Sequence, residues 1–216
     1  MSVGDGGCTG QKRCQYKNNA SRERHVLLGK VLRVGVNPDG TTSIPDDNPF
    51  TGPGSGRCNV TGRTERGDDC RETFARGFRN PFRIAFDPDT PETTTRFFIN
   101  DVGGQRWEEI DEGQAGADYG WNLCEGRHDN PFRKGQVNCS GPVYTPPIHE
   151  YSHGSGCRSI TGGAFVLDGL WPAEYNDAYL FGDFICHKIF VLKPTGGVAS
   201  SQSCSRTGWG RVVPSP

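Results

Sequence analysis

RGFRNPFRIAFDPDTPETTTRFFINDVGGQRWEEIDEGQAGADYGWNLCEG, residues 76–126, is the stretch on which the reading of the chain turns. Two strand-like runs, residues 83–86 and 96–100, flank the turn DPDTPE. Val102-Gly103-Gly104 turns the chain again, a pair of carboxylates follows at Glu108 and Glu109, and Tyr119-Gly120-Trp121 closes the unit. Glycines, aromatics and acids are interleaved at strand and loop spacing, not at the 3.6-residue spacing of a helix. A backbone so constrained, carrying Arg79, Asn80, Glu108 and Glu109, is where a bound ion or cofactor is expected.

The rest of the chain has the same grammar. Only 33% of the 216 residues are hydrophobic, and 31 glycines and 15 prolines punctuate aromatic and β-branched runs. Many turns imply many short strands. The net charge of -1 offers no field for nucleic acid or an anionic membrane. No apolar run approaches the roughly 20 residues of a membrane-spanning helix.

Taken in order, HVLLGKVLRVGV at residues 25–36 reads as a long strand or strand pair, and NPDG at residues 37–40 as a turn. IPDDNPF, residues 44–50, is an extended loop, and residues 51–71 are a cysteine-tied excursion. SITGGAFVL, residues 159–167, is a strand with a glycine bulge. DAYLFGDFICHKIFVL, residues 177–192, is two strands broken at Gly182-Asp183. Strand-then-glycine phrases recur in SVGDGG, FFINDVGG and YLFGDF, which favours a propeller over a sandwich. The expected organisation is one propeller-like domain over residues 1–194, with 195–216 a tail or the start of a further blade.

Nine cysteines without a CxxC pair argue against a zinc ribbon or thioredoxin-like site. Cys8/Cys14, Cys58/Cys70 and Cys124/Cys139 are spaced as loop staples, with Cys204 left over. A secreted, extracellular or periplasmic setting explains them best. Asn19, Asn59 and Asn138 open N-x-S/T triplets compatible with that setting. No signal peptide is present, so the chain reads as starting inside a larger protein. His149 and His153 stand four apart, but the flanking prolines and Gly154 exclude the helix that a metal pair of that spacing needs.

The phrases VGDGG, LLGKVLRV, IPDDNPF, ARGFRNPFRIAFDP, NDVGGQRWEEID, GADYGWNLCEG, ITGGAFV and YLFGDF, in this order across residues 2–193, resemble the glucose/sorbosone dehydrogenase family, which includes the soluble pyrroloquinoline-quinone (PQQ) sugar dehydrogenases. The resemblance implies an all-β, six-bladed propeller, here incomplete at about four blades, that binds PQQ and calcium on one face. The family also includes hedgehog-interacting-protein-like propellers, so it does not by itself settle catalysis.

Residue by residue, Arg79 and Asn80 match the Arg-Asn pair that reaches the quinone; a guanidinium fork suits the oxygens of a tricarboxylate. Gly103 and Gly104 match the turn whose carbonyls hold the active-site calcium, a cation that takes hard oxygen ligands. Val102 and Gly104 replace the glutamine and proline of glucose-oxidising members, which bears on substrate more than on fold. Glu109 and Tyr119 match a second, structural calcium site, contributing a carboxylate and a carbonyl. Glu108 is expected at the surface, and Trp107 and Trp121 in the propeller core. Ile185 and Cys186 fall near positions that are basic in glucose-oxidising members.

The resemblance also implies a general-base histidine just ahead of the VGDGG phrase, before Met1, so no catalytic residue is assigned within this chain. By itself the chain is expected to be an inactive piece of a dehydrogenase that oxidises a sugar hydroxyl and passes electrons to an acceptor. The alternative is a non-enzymatic, calcium-stapled propeller that binds protein or glycan.

Overall fold

The computed structural model describes residues 1–7, 18–91, 95–130, 137–194 and 204–205. Their framework is three antiparallel sheets laid down in chain order. The first pairs β1 (Ser2–Val3), β2 (Lys30–Leu32) and β3 (Thr73–Arg76). The second runs β4 (Pro81–Phe86), β5 (Phe97–Asp101), β6 (Trp107–Glu112) and β7 (His149–Ser152). The third runs β8 (Ile160–Phe165), β9 (Tyr179–Asp183), β10 (Lys188–Leu192) and β11 (Cys204–Ser205). Strand β4 lies beside β1 on one side and β8 on the other, so successive sheets meet at their first strands, as propeller blades do.

Strand β5 shows why the sheets stack face to face. All five of its residues are buried. Strand alternation sends Phe97 and Ile99 into a cluster with Val31, Ala75 and Phe78 of the first blade. Phe98, between them, faces Ile160, Phe165, Tyr179 and Phe181 of the third. A strand covered on both faces needs apolar residues at consecutive positions, and FFI supplies them.

The incomplete all-β propeller stands as expected, and the described residues contribute these three sheets to it. The remaining length is spent on loops and ribbons. Gly35–Val36 pairs with Thr42–Ser43 around the NPDG turn, and Ser55–Gly56 runs parallel to Asp69–Cys70 in the cysteine-tied excursion. Of the long strand or strand pair expected over residues 25–36, the structure forms two short strands, Lys30–Leu32 and Gly35–Val36. Gly29 is left-handed (φ +67°) and lies so close to Ser21 and the Phe78 carbonyl that a Cβ there would collide with both. The strand therefore begins only at Lys30, whatever the valines favour.

Other local readings match. The glycine bulge is the register shift between Thr161 and Gly163. The break in residues 177–192 falls just after Asp183. Disulfides join Cys58 to Cys70 and Cys124 to Cys139, and a third joins Cys157 to Cys186, 29 residues apart. Cys8 and Cys14 lie outside the described residues, as does the side chain of Cys204, whose backbone adds β11 to the third blade. Among the described residues, no helix is long and apolar enough to cross a membrane.

Candidate cofactor and metal site

Asp101, the last residue of β5, organises one end of the second blade. Its carboxylate accepts from the Arg79 N–H at 2.9 Å and the Asn80 N–H at 2.6 Å. The Val102 N–H donates to the Asn80 carbonyl at 3.0 Å, and Arg79 Nη1 donates to the Val102 carbonyl at 2.8 Å. The GFRNP corner and the DVGG bend thus form one unit, held by four hydrogen bonds.

Two more of the quoted phrases reach this unit. The Asp5 N–H of VGDGG donates to the Arg79 carbonyl at 2.8 Å. Trp121 of GADYGW is buried beneath it, its ring centroid 5.9 Å from the Arg79 guanidinium carbon. Its indole N–H donates to Asp5 Oδ2 at 2.9 Å. Arg79 is half-buried and Asn80 exposed. Apart from the bond to Val102, the Arg79 guanidinium makes no hydrogen bond among the described residues. Its other donors remain available to an anionic ligand.

The acids lie on both faces of β6. Glu108 is fully buried, which corrects the surface position expected for it. Its Oε2 accepts from Gly103 N–H at 3.1 Å and Ile160 N–H at 3.0 Å, and its Oε1 meets His153 Nε2 at 2.7 Å. Glu109 and Asp111 point to the opposite face, with Asp101 paired across from Glu109. All three are buried. Glu109 accepts one N–H bond, from Gly126 at 3.1 Å. Among the described residues, Asp111 accepts none on either oxygen.

This face is electrostatically strained. Burial, ahead of every other effect, pushes the Asp101 carboxyl up to about 7, although Arg79 and Asn80 N–H bonds pull the other way. Burial and the Asp111 and Asp101 charges hold Glu109 well above the carboxylate range. Burial and Asp101 do the same to Asp111. A buried carboxylate with two orphaned oxygens needs a proton or a cation. The donor set, three carboxylates beside a loop rich in carbonyls, is of the hard-oxygen kind that suits calcium.

Tyr119 is brought to the same side of the blade but in another role. Its ring stacks on Phe78 at 4.6 Å between centroids, and its hydroxyl donates to the Glu112 carbonyl. None of its hydrogen bonds reaches Glu109. Trp107 is half-buried and stacks on His128 at 3.9 Å instead of entering the core. Cys157, Asp183 and Cys186 bring metal-ligand atoms within 4.8 Å of one another, but both sulfurs are spent in the disulfide. His149 and His153 do not form a pair: the first lies in β7 and the second bonds Glu108.

Sequence reasoning missed Asp101, Asp111 and Glu125. The first two were legible in principle. In a strand buried on both faces, the alternation of WEEIDE assigns Glu109 and Asp111 to one face and Glu108 and Ile110 to the other.

Antiparallel blades meeting at their first strands, with an Arg-Asn corner locked to a glycine bend, make this a β-propeller fold. The chain belongs to the Glucose / Sorbosone dehydrogenase family, whose model matches residues 1–212. It is 30% identical over 212 residues to the HIPL2 protein and 29% identical over 220 residues to the HIPL1 protein, both of Arabidopsis thaliana. Those matches cover 88% and 92% of this chain but only 27% and 29% of the relatives, so the chain spans under a third of their length. A solved glucose dehydrogenase superposes with TM-score 0.62 at 21% identity, over 93% of this chain and 48% of that one. A PQQ-bound aldose sugar dehydrogenase from Streptomyces coelicolor superposes with TM-score 0.53 at 22% identity, over 84% and 40%. At such identities these two likenesses speak for the fold.

Proposed function

We propose that the protein containing this chain is a secreted or periplasmic, PQQ- and calcium-dependent dehydrogenase of a sugar hydroxyl, and that this chain supplies one wall of its cofactor site. The observation that carries the reading is the single unit formed by Arg79, Asn80 and the Val102-Gly103-Gly104 bend. Arg79 offers its uncommitted donors to the carboxylates and quinone oxygens of PQQ, and Asn80 a neutral amide beside them. The Gly103 and Gly104 carbonyls offer hard oxygens to calcium. Bound PQQ would accept the hydride from the sugar carbon. The share of the residues named here is binding and orientation. Glu109, with Asp101 and Asp111, takes a second, structural calcium, to which Tyr119 adds its carbonyl. Three disulfides among the described residues support the oxidising compartment.

The HIPL relatives favour a second reading, a calcium-stapled propeller that binds protein or glycan without catalysis. The full-length protein, titrated with PQQ in the presence of calcium, separates the two. A PQQ difference spectrum that Arg79→Ala abolishes, together with sugar-dependent dye reduction, supports the dehydrogenase. No spectral change, with a thermal shift from calcium alone, supports the binding propeller.

A further inference from the structure

The bend after β5 holds an arrangement that cofactor contact alone does not require. Glu125 is 1% exposed, yet its Oε1 accepts from four consecutive backbone N–H groups. They are Gly104 at 2.7 Å, Gln105 at 2.7 Å, Arg106 at 2.9 Å and Trp107 at 3.3 Å. The preceding amide, Gly103, donates to buried Glu108. Five successive N–H groups therefore point at two carboxylates.

The peptide plane turns this into a statement about carbonyls. In a trans peptide the C=O of one residue lies antiparallel to the N–H of the next, and the peptides of this bend are trans. The carbonyls of Val102 through Arg106 accordingly face away from Glu108 and Glu125. Val102 O is taken by Arg79 Nη1, and Arg106 O by the His153 N–H at 2.8 Å. Between them, Gly103 O and Gly104 O accept no hydrogen bond among the described residues.

Glycine is needed in the bend for space: a Cβ on Gly103 would collide with the Trp107 carbonyl. Yet glycine holds its own peptide plane least well, because its φ and ψ are the freest. Something else must fix the orientation. Glu125 is itself fixed, since it lies in the short ribbon Cys124–Glu125 with His128–Asp129, beside the Cys124–Cys139 disulfide.

We propose that Glu125, assisted by Glu108, is a positioning residue for a divalent cation. It gathers the amides of the bend so that the Gly103 and Gly104 carbonyls stand side by side as a pair of hard ligands. Glu125 is not itself a ligand through Oε1, which its four donors saturate. This inference rests on the calcium reading of the bend and specifies how the chain builds that site.

The test uses the full-length protein and terbium(III) as a luminescent stand-in for calcium. Trp121 sensitises it, because its ring lies 3.0 Å from where a Cβ on Gly104 would stand. Work in a Glu109→Gln background silences the second site. Glu125→Ala is expected to weaken terbium binding by about 10–100-fold, the usual effect of losing an outer-shell support. Glu125→Gln keeps an oxygen acceptor and recovers most of the affinity, whereas a role as charged ligand would leave it as weak as the alanine variant. Wild-type affinity in folded Glu125→Ala, or no rescue by glutamine, overturns the proposal. If Glu125→Ala does not fold, amide exchange in the unsubstituted protein decides: slow exchange at residues 104–107 is expected, and fast exchange overturns it. Absence of terbium binding before Glu125 is altered would overturn the calcium reading itself, a result distinct from loss confined to the alanine variant.

Discussion

Asp5 and Trp121, 116 residues apart, are joined by a hydrogen bond of 2.9 Å between the indole N–H and Oδ2, and both are buried. The bond fastens the loop after β1 to the loop beneath the Arg79-Asn80 corner. The other Asp5 oxygen accepts from the Gly7 N–H at 2.8 Å. Trp121→Phe should leave Oδ2 without its indole donor and cost about 1–3 kcal/mol. Urea denaturation at neutral pH measures it, and an unchanged midpoint would deny the bond its importance.

Among the described residues Lys30 is the most deeply placed cation, with no exposed surface. Its ammonium donates to the carbonyls of Ala20 and Ser21 at 2.9 Å each and of Leu28 at 2.7 Å, closing the loop that carries Gly29. Burial pulls its pKa down to about 7. Lys30→Met, close in shape but without donors, should destabilise the fold by about 1.5–3 kcal/mol, the scale of charged hydrogen bonds. Equal or greater stability would show that the three carbonyls find other partners.

Asp183 sets an acid limb. Burial raises its pKa, but N–H groups of Cys186 and Ser159 and the Tyr151 hydroxyl, with the Arg158 backbone, outweigh it and hold the carboxyl below its usual value. A depressed carboxylate contributes stability above its unfolded pKa, about 3.9, and loses it as pH falls through the folded value. Stability should therefore decline below about pH 4. Asp183→Asn should flatten that decline while lowering stability at pH 7. The check is a series of denaturation curves from about pH 7 down to about pH 2.5; parallel curves would refute it.

Asp111 makes the opposite kind of prediction. Its two buried oxygens have no donor among the described residues and face the Asp101 charge. Asp111→Asn should raise the melting temperature of the calcium-free protein by relieving that repulsion. The same change should remove most of the stabilisation that calcium confers on the unsubstituted protein. Calorimetry with chelator and with calcium reads both, and an undiminished calcium shift in the variant would exclude Asp111 from the metal's surroundings.

The Cys124–Cys139 bridge closes a loop of 15 residues. Replacing both cysteines by serine should cost about 3 kcal/mol by loop-closure entropy. Because Glu125 adjoins the bridge, amide protection at residues 104–107 should fall in the same variant. Protection unchanged there would separate the staple from the bend.

What the sequence by itself determined is local. The turns DPDTPE and NPDG, the glycine bulge of ITGGAF and the short-range staples Cys58–Cys70 and Cys124–Cys139 follow from φ preferences and chain proximity, which act over a few residues. The order of the eight phrases carried the family. Only the tertiary structure decided that Glu108 is a buried strut and not a surface acid, that Cys157 reaches Cys186, that Gly29 shortens the first long strand, and that Asp101 joins the Arg79 corner to the glycine bend. The physical reason is plainest for Glu108 and Asp101. Strand β5 is buried along its length and β6 between its end residues, so whether a polar residue there is buried, and which partner meets it, depends on strands and loops far away in the chain.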